Sequence, residues 1–137
     1  MKKIITVCLV ALSFVACNDD DNAIDPIVGK WYAHSVIVKG NTINYEGNTS
    51  CGKDYLQLNN FNTYEIGDYQ EVDGTPCEVT KYFGSYSVTD NSLKLYGSSF
   101  FQGGTIVEKS ENTLKLRRMV DVDGDGTSDE VIEVFTR

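Results

Sequence analysis

Apolar residues in this 137-residue chain recur at every second position over most of its length. No window of a dozen residues carries a 3.6-residue period. A chain with that pattern buries one face of a pleated strand, so the fold it can reach is all-β. WYAHSVIVK (31–39) is aromatic and β-branched, KGN turns the chain, and TINYE (42–46) follows as a hairpin partner. In DYLQLN, Leu56 and Leu58 share a face. TYEIGDYQEV (63–72) carries Gly67, where the pattern predicts a bend or bulge, and DGTPC is a turn. KYFGSYSV (81–88) sets Tyr82, Tyr86 and Val88 on one face around Gly84. SLKLYG (92–97) pairs Leu93 with Leu95, and GGTIVEKS follows a glycine break. TLKLRRMV (113–120) sets Leu114, Leu116 and Val120 opposite Lys115, Arg117 and Met119, and EVIEVFT (130–136) ends the series. Eight to nine short strands joined by short turns favour antiparallel up-and-down pairing. Closing such a meander into a barrel of about eight strands removes its two edges, whereas a β-sandwich is the competing architecture. A barrel of that size holds packed side chains or one small ligand.

The residues before the strands read differently. Lys2 and Lys3 precede an apolar run from Ile4 to Ala16, of signal-peptide length, ending in FVAC. Small residues before a cysteine at that place resemble the lipobox of bacterial lipoproteins. The resemblance implies a signal peptide over 1–16 and a lipid-modified Cys17 as the mature N-terminus. More than one acyl chain on that cysteine gives stable membrane anchoring. Asp19, Asp20 and Asp21 follow within an acidic tether, 17–26, which resembles the export signal that sends lipoproteins to the cell surface in Bacteroidetes-type bacteria. As a short acidic run it also reads as a solvated spacer. The expected localisation is the outer membrane, facing the cell surface.

Twelve Lys and Arg against 20 Asp and Glu give a net charge of −8, which becomes −10 once Lys2 and Lys3 are cut away. No basic stripe exists to displace counterions from phosphates, so nucleic acid is not an expected partner. Cys51 and Cys77 lie in Gly/Asn/Thr-rich connections of an exported domain, where an even pair predicts a disulfide. The alternatives are free thiols or a metal pair, but a zinc site calls for more ligands of that type, and the one histidine, His34, is far from both in sequence.

DPIVGKW (25–31) resembles the G-x-W entry motif of lipocalins, with Gly29 and Trp31 at the matching positions. A longer ordered set resembles the lipocalin-like domain of Bacteroidetes-type lipoproteins. It comprises Cys51, Lys53 and Asp54; Asn62, Thr63 and Tyr64; Cys77; Gly84 and Tyr86; Asn91, Leu93 and Leu95; and Thr113, Leu114 and Leu116. The set covers nearly all of a domain spanning 27–137. It implies a barrel with Trp31 plugging its base, a binding module whose ligand is unidentified, and no catalytic residues. The tyrosines (Tyr32, Tyr45, Tyr55, Tyr64, Tyr69, Tyr82, Tyr86 and Tyr96) either line a cavity or flank strands with their hydroxyls in water.

Chemistry is otherwise sparse. Nucleophile elbow, P-loop and dinucleotide fingerprint are absent from the sequence, and FQGG opens no helix that would offer amides to a phosphate. A hydrolase would need a pocket joining His34 to a carboxylate and a hydroxyl. The chain is therefore expected not to be an enzyme. DVDGDGTSDE (121–130) is the exception to that sparseness. Asp121, Asp123 and Asp125 fall at positions 1, 3 and 5 of a calcium loop, with Gly126 at the sharp turn, a Thr127 carbonyl at 7 and Asp129 at 9. Position 12 is Ile132, flanked by Glu130 and Glu133, either of which can substitute, and the element resembles the short D-x-D-x-D-G-x-x-D loops between β-strands rather than an EF-hand. Asp and Gly also make ordinary turns. Yet four carboxylates in nine residues repel one another, and a structural calcium that pins the last hairpin would relieve this. The sequence thus leads to a non-catalytic, lipid-anchored barrel that binds a small apolar or extended ligand. The other reading is a filled barrel that serves as an interaction module for a surface protein partner.

Overall fold

The computed structural model describes residues 25–46, 51–70 and 77–137. The expected signal peptide, Cys17 and the acidic tether before Asp25 lie outside those residues. The described residues form nine strands: β1 (Gly29–Val38), β2 (Asn41–Asn44), β3 (Tyr55–Leu58), β4 (Thr63–Gln70), β5 (Glu78–Thr89), β6 (Ser92–Tyr96), β7 (Gly103–Lys109), β8 (Thr113–Val120) and β9 (Asp129–Thr136). All pairings are antiparallel, and β9 returns to β1. The result is a closed eight-stranded barrel, β1-β3-β4-β5-β6-β7-β8-β9, with β2 attached to β1 outside that circuit.

β1 is shared in a way that shapes the site. Along one edge it pairs with β9 from Tyr32 to Val38. Along the other, Gly29–Tyr32 pair with β3 and Ser35–Val38 pair with β2. The changeover coincides with a register shift against β9 between Ala33 and Ser35, so His34 is the extra residue of a bulge. A second shift leaves Val107 unmatched in β7. No register shift occurs at Gly67, which stays in ladder opposite Tyr55. Its missing side chain makes room instead, since a Cβ there would lie 2.2 Å from the Tyr55 ring.

The alternation resolves into one core. Trp31, Leu56, Leu58, Tyr64, Tyr86, Leu93, Leu95, Leu114 and Leu116 point into the barrel and are buried, with Ile27 beneath them. Each fully buried leucine contributes about 2 kcal/mol over exposure. Gly84 faces the same interior, and a Cβ there would meet the Tyr96 carbonyl oxygen at 2.0 Å and the Tyr64 ring at 2.8 Å. The base is closed by the residues of the G-x-W stretch. Trp31 is fully buried and its Nε1 donates to the Ile27 carbonyl at 2.7 Å. The Arg137 guanidinium lies 4.1 Å over the Trp31 ring and donates to the carbonyls of Pro26 and Val28, each at 2.7 Å. Gly29 adopts φ +139°, and a Cβ would come within 2.9 Å of that guanidinium.

Candidate functional site

Leucines fill the base, but the opposite end is hollow. There a cavity of about 180 Å³ lies where β1 changes partner from β3 to β2. Its walls come from Ala33, Ser35 and Val36 of β1, Leu56 of β3, Ile66 of β4 and Glu133, Val134 and Phe135 of β9. Phe100 and Phe101 enter from the connection after β6, and Tyr45 and Asp54 from the connection between β2 and β3. Phe101 turns inward, is buried, and meets Phe135 edge-on at 6.3 Å. Phe100 stays largely exposed and stacks on Tyr82 at 5.4 Å and 3°. The paired phenylalanines thus form one apolar flank, in a contact geometry that favours aromatic rings.

Two carboxylates interrupt the apolar wall, and a guanidinium lies behind one of them. Strand register places Glu133 opposite Leu116, facing inward, with Arg118 one inward position further along β8. Arg118 donates to Glu133 Oε1 through Nη2 and stands 5.0 Å over the Phe101 ring. Burial pushes the Glu133 carboxyl above its ordinary value, and the nearby guanidinium only partly opposes this. Glu133 Oε2 and Arg118 Nε are buried without a hydrogen-bond partner among the described residues. Asp54 accepts the Tyr69 N–H at 2.7 Å and a hydrogen bond from the Tyr45 hydroxyl. The Tyr45 phenol is pushed up to about 12, first by burial and then by the Asp54 carboxylate.

The disulfide expected between Cys51 and Cys77 is present, with Cα atoms 5.2 Å apart. It ties the connection that carries Asp54 to the connection that enters β5. The tyrosines do not form one lining. Tyr64 and Tyr86 belong to the core, their hydroxyls donating to the carbonyls of Tyr96 and Asn59. Tyr45 and Tyr55 reach the cavity, and Tyr32 and Tyr96 are exposed. His34 is exposed at the β1 bulge and is not part of the cavity lining, so the arrangement a hydrolase would require is not assembled there.

At the same open end, the aspartate loop joins β8 to β9. Asp121, Asp123 and Asp125 each present a carboxylate oxygen within 4.8 Å of the others, all exposed to solvent. The loop is organised by its own side chains. Asp121 accepts the amides of Gly124 and Gly126 at 2.7 and 3.0 Å, and Asp125 accepts that of Thr127 at 2.7 Å. Asp129 stands apart at the start of β9. The Lys39 ammonium bridges Asp123 and Asp129 at 2.8 and 3.2 Å, and its hydrogen bond holds the Asp123 carboxyl below its ordinary value. Three of the five expected ligand residues therefore converge, and a fourth shares a lysine with one of them. Both Asx-type turns and a hard cation suit such a loop.

Comparison with known families places this architecture. The model of the lipocalin-like domain matches residues 27–116. The chain belongs to the lipocalin-like domain family. No curated protein matches the chain. Among solved structures it is similar to a bovine odorant-binding protein, a deswapped triple mutant, at 18% identity over 82% of this chain and 74% of that one, with a TM-score of 0.44. In this lipocalin-like domain the matched stretch ends at Leu116, so the aspartate loop, Arg118 and Glu133 all lie beyond it.

Sequence reasoning considered Glu133 only as a flank of the aspartate loop and missed its pairing with Arg118 at the cavity, although a signal for it existed. Strict alternation puts Arg118 on the face of Leu114 and Leu116, and Glu133 on the face of Val131 and Phe135. Opposite charges at core-facing positions of two adjoining strands point to a buried pair and a polar spot in the barrel. Asp54 stood out only within the Cys51, Lys53 and Asp54 motif of the resemblance, because its place depends on a connection rather than on strand alternation.

Proposed function

We propose that this lipocalin-like domain is held at the outer membrane of a Bacteroidetes-type bacterium by a lipid on Cys17, faces the cell surface, and binds a small, mainly apolar ligand without transforming it. The cavity walled by Ala33, Val36, Leu56, Ile66, Phe101 and Phe135 carries the binding part of this reading. Apolar cavities of about 150 Å³ accept a benzene-sized guest, so the ligand buried here is about one ring or a short branched chain in size. The anchor part rests on the lipobox-like FVAC and the acidic run behind it.

The test is native mass spectrometry and titration of the full lipidated chain in detergent micelles against a panel of single-ring and short-chain compounds. The expected result is one-to-one binding that is lost in Ala33→Phe, which fills the cavity. A panel without binders would favour the filled barrel that docks a surface protein partner.

A structural calcium belongs to the same proposal, with Asp121, Asp123 and Asp125 as carboxylate ligands, the Thr127 carbonyl and Asp129 completing the set. The clustering of the first three supports it. Calcium would replace the repulsion among these carboxylates with shared coordination and fix the β8–β9 hairpin.

A further inference from the structure

We infer that the cavity selects a small amine: a molecule with an apolar body of about one ring and a single protonated nitrogen. This rests on the ligand-binding reading above and adds the chemistry of the ligand's polar end. Two carboxylates, Asp54 and Glu133, stand in the cavity wall, and no Lys or Arg is among the lining residues. One cation, Arg118, lies behind Glu133 and engages its Oε1. Asp54 has no ion-pair partner among the described residues, and its two bonds come from a backbone amide and a phenol, both neutral donors. The wall is therefore net negative when both carboxylates are ionised.

Desolvation decides what such a wall accepts. A guest that brings a charged N–H donor meets Asp54, whose own donors are neutral, and gains attraction in a region of low dielectric. A neutral alcohol offers one weaker donor. A carboxylic acid would place a third negative charge beside two others. The apolar part of the lining, Phe101 with Phe135, Leu56 and Ile66, suits the apolar body. Arg118 stands over the Phe101 ring, so the cation-attracting property of that aromatic is also in use within this structure.

The experiment compares three probes with the same carbon skeleton against the full chain in micelles by calorimetry: 2-phenylethylamine, 2-phenylethanol and phenylacetate. The expected order is amine, alcohol, acid, with the amine at least tenfold tighter than the alcohol. In Glu133→Gln and, separately, Asp54→Asn, that ratio should fall toward one. Asn can still accept the Tyr69 amide, so the second variant keeps the fold should Glu133→Gln strand Arg118. Equal affinity for alcohol and amine, or a ratio unmoved in both variants, overturns the amine assignment and leaves an apolar binding site. If none of the three probes binds, the ligand-binding reading falls and this inference falls with it.

Discussion

At the scale of single residues, the consequences turn on space and charge. Gly84 sits where β5 passes closest to both the Tyr64 ring and the Tyr96 carbonyl. A methyl group there displaces backbone as well as a core ring, so Gly84→Ala should lose about 2–3 kcal/mol of stability, read as a lower urea midpoint. Glu133 makes a pH prediction. Its folded-state carboxyl holds the proton to higher pH than in the unfolded chain, because burial outweighs the attraction of Arg118. In that window the native state binds more protons, so stability falls as pH rises from the ordinary glutamate value through the raised one. Melting temperatures measured from pH 4 upward should show this decline in the wild type and a flatter course in Glu133→Gln. Asp25 works in the opposite sense. Its carboxyl is lowered, first by the Ile27 amide, so its contribution is full above the ordinary value and fades as pH falls through the lowered one.

Elements show where sequence patterning ends. Alternating pairs such as Leu56/Leu58, Leu93/Leu95 and Leu114/Leu116 announced their strands, because one face of each meets a common core. The same rule, carried one step further along β8 and β9, reaches Arg118 and Glu133. The turn-rich connections carry no such period, and there the cavity takes Tyr45, Asp54, Phe100 and Phe101. Gly67 was misread for a related reason: a strand glycine marks either a bulge or a place for a neighbouring ring, and only the Tyr55 packing tells them apart. The disulfide joins two of these connections. By loop entropy, Cys51→Ala with Cys77→Ala should cost about 3.5 kcal/mol in denaturant unfolding under non-reducing conditions. Asp54 lies three residues from Cys51, so ligand affinity should drop in the same variant. In the aspartate loop, Lys39 shares Asp123 and Asp129 with any cation that binds. Lys39→Met should therefore tighten calcium binding, and Asp123→Ala should abolish it, both read by calorimetric titration.

For the whole molecule, barrel closure segregates two ends. Turns 59–62, 90–91 and 110–112 meet at the base beside Asp25 and Arg137, while the aspartate loop, the disulfide and the cavity share the opposite end. The described chain enters at the base, at Asp25, so the cavity lies at the end away from that entry. Cys17→Ser should move the protein from the membrane fraction to the soluble fraction, followed by fractionation and immunoblot. Arg137, the last residue, grips the carbonyls of Pro26 and Val28 at the point where the chain enters the barrel. A pull on the residues before Asp25 meets that latch first, and next the pairings of β1 with β3 and β9, which run along the strand and so load in shear. Force applied from that side is thus resisted first where one guanidinium ties the end of β9 to the stretch that leads into β1.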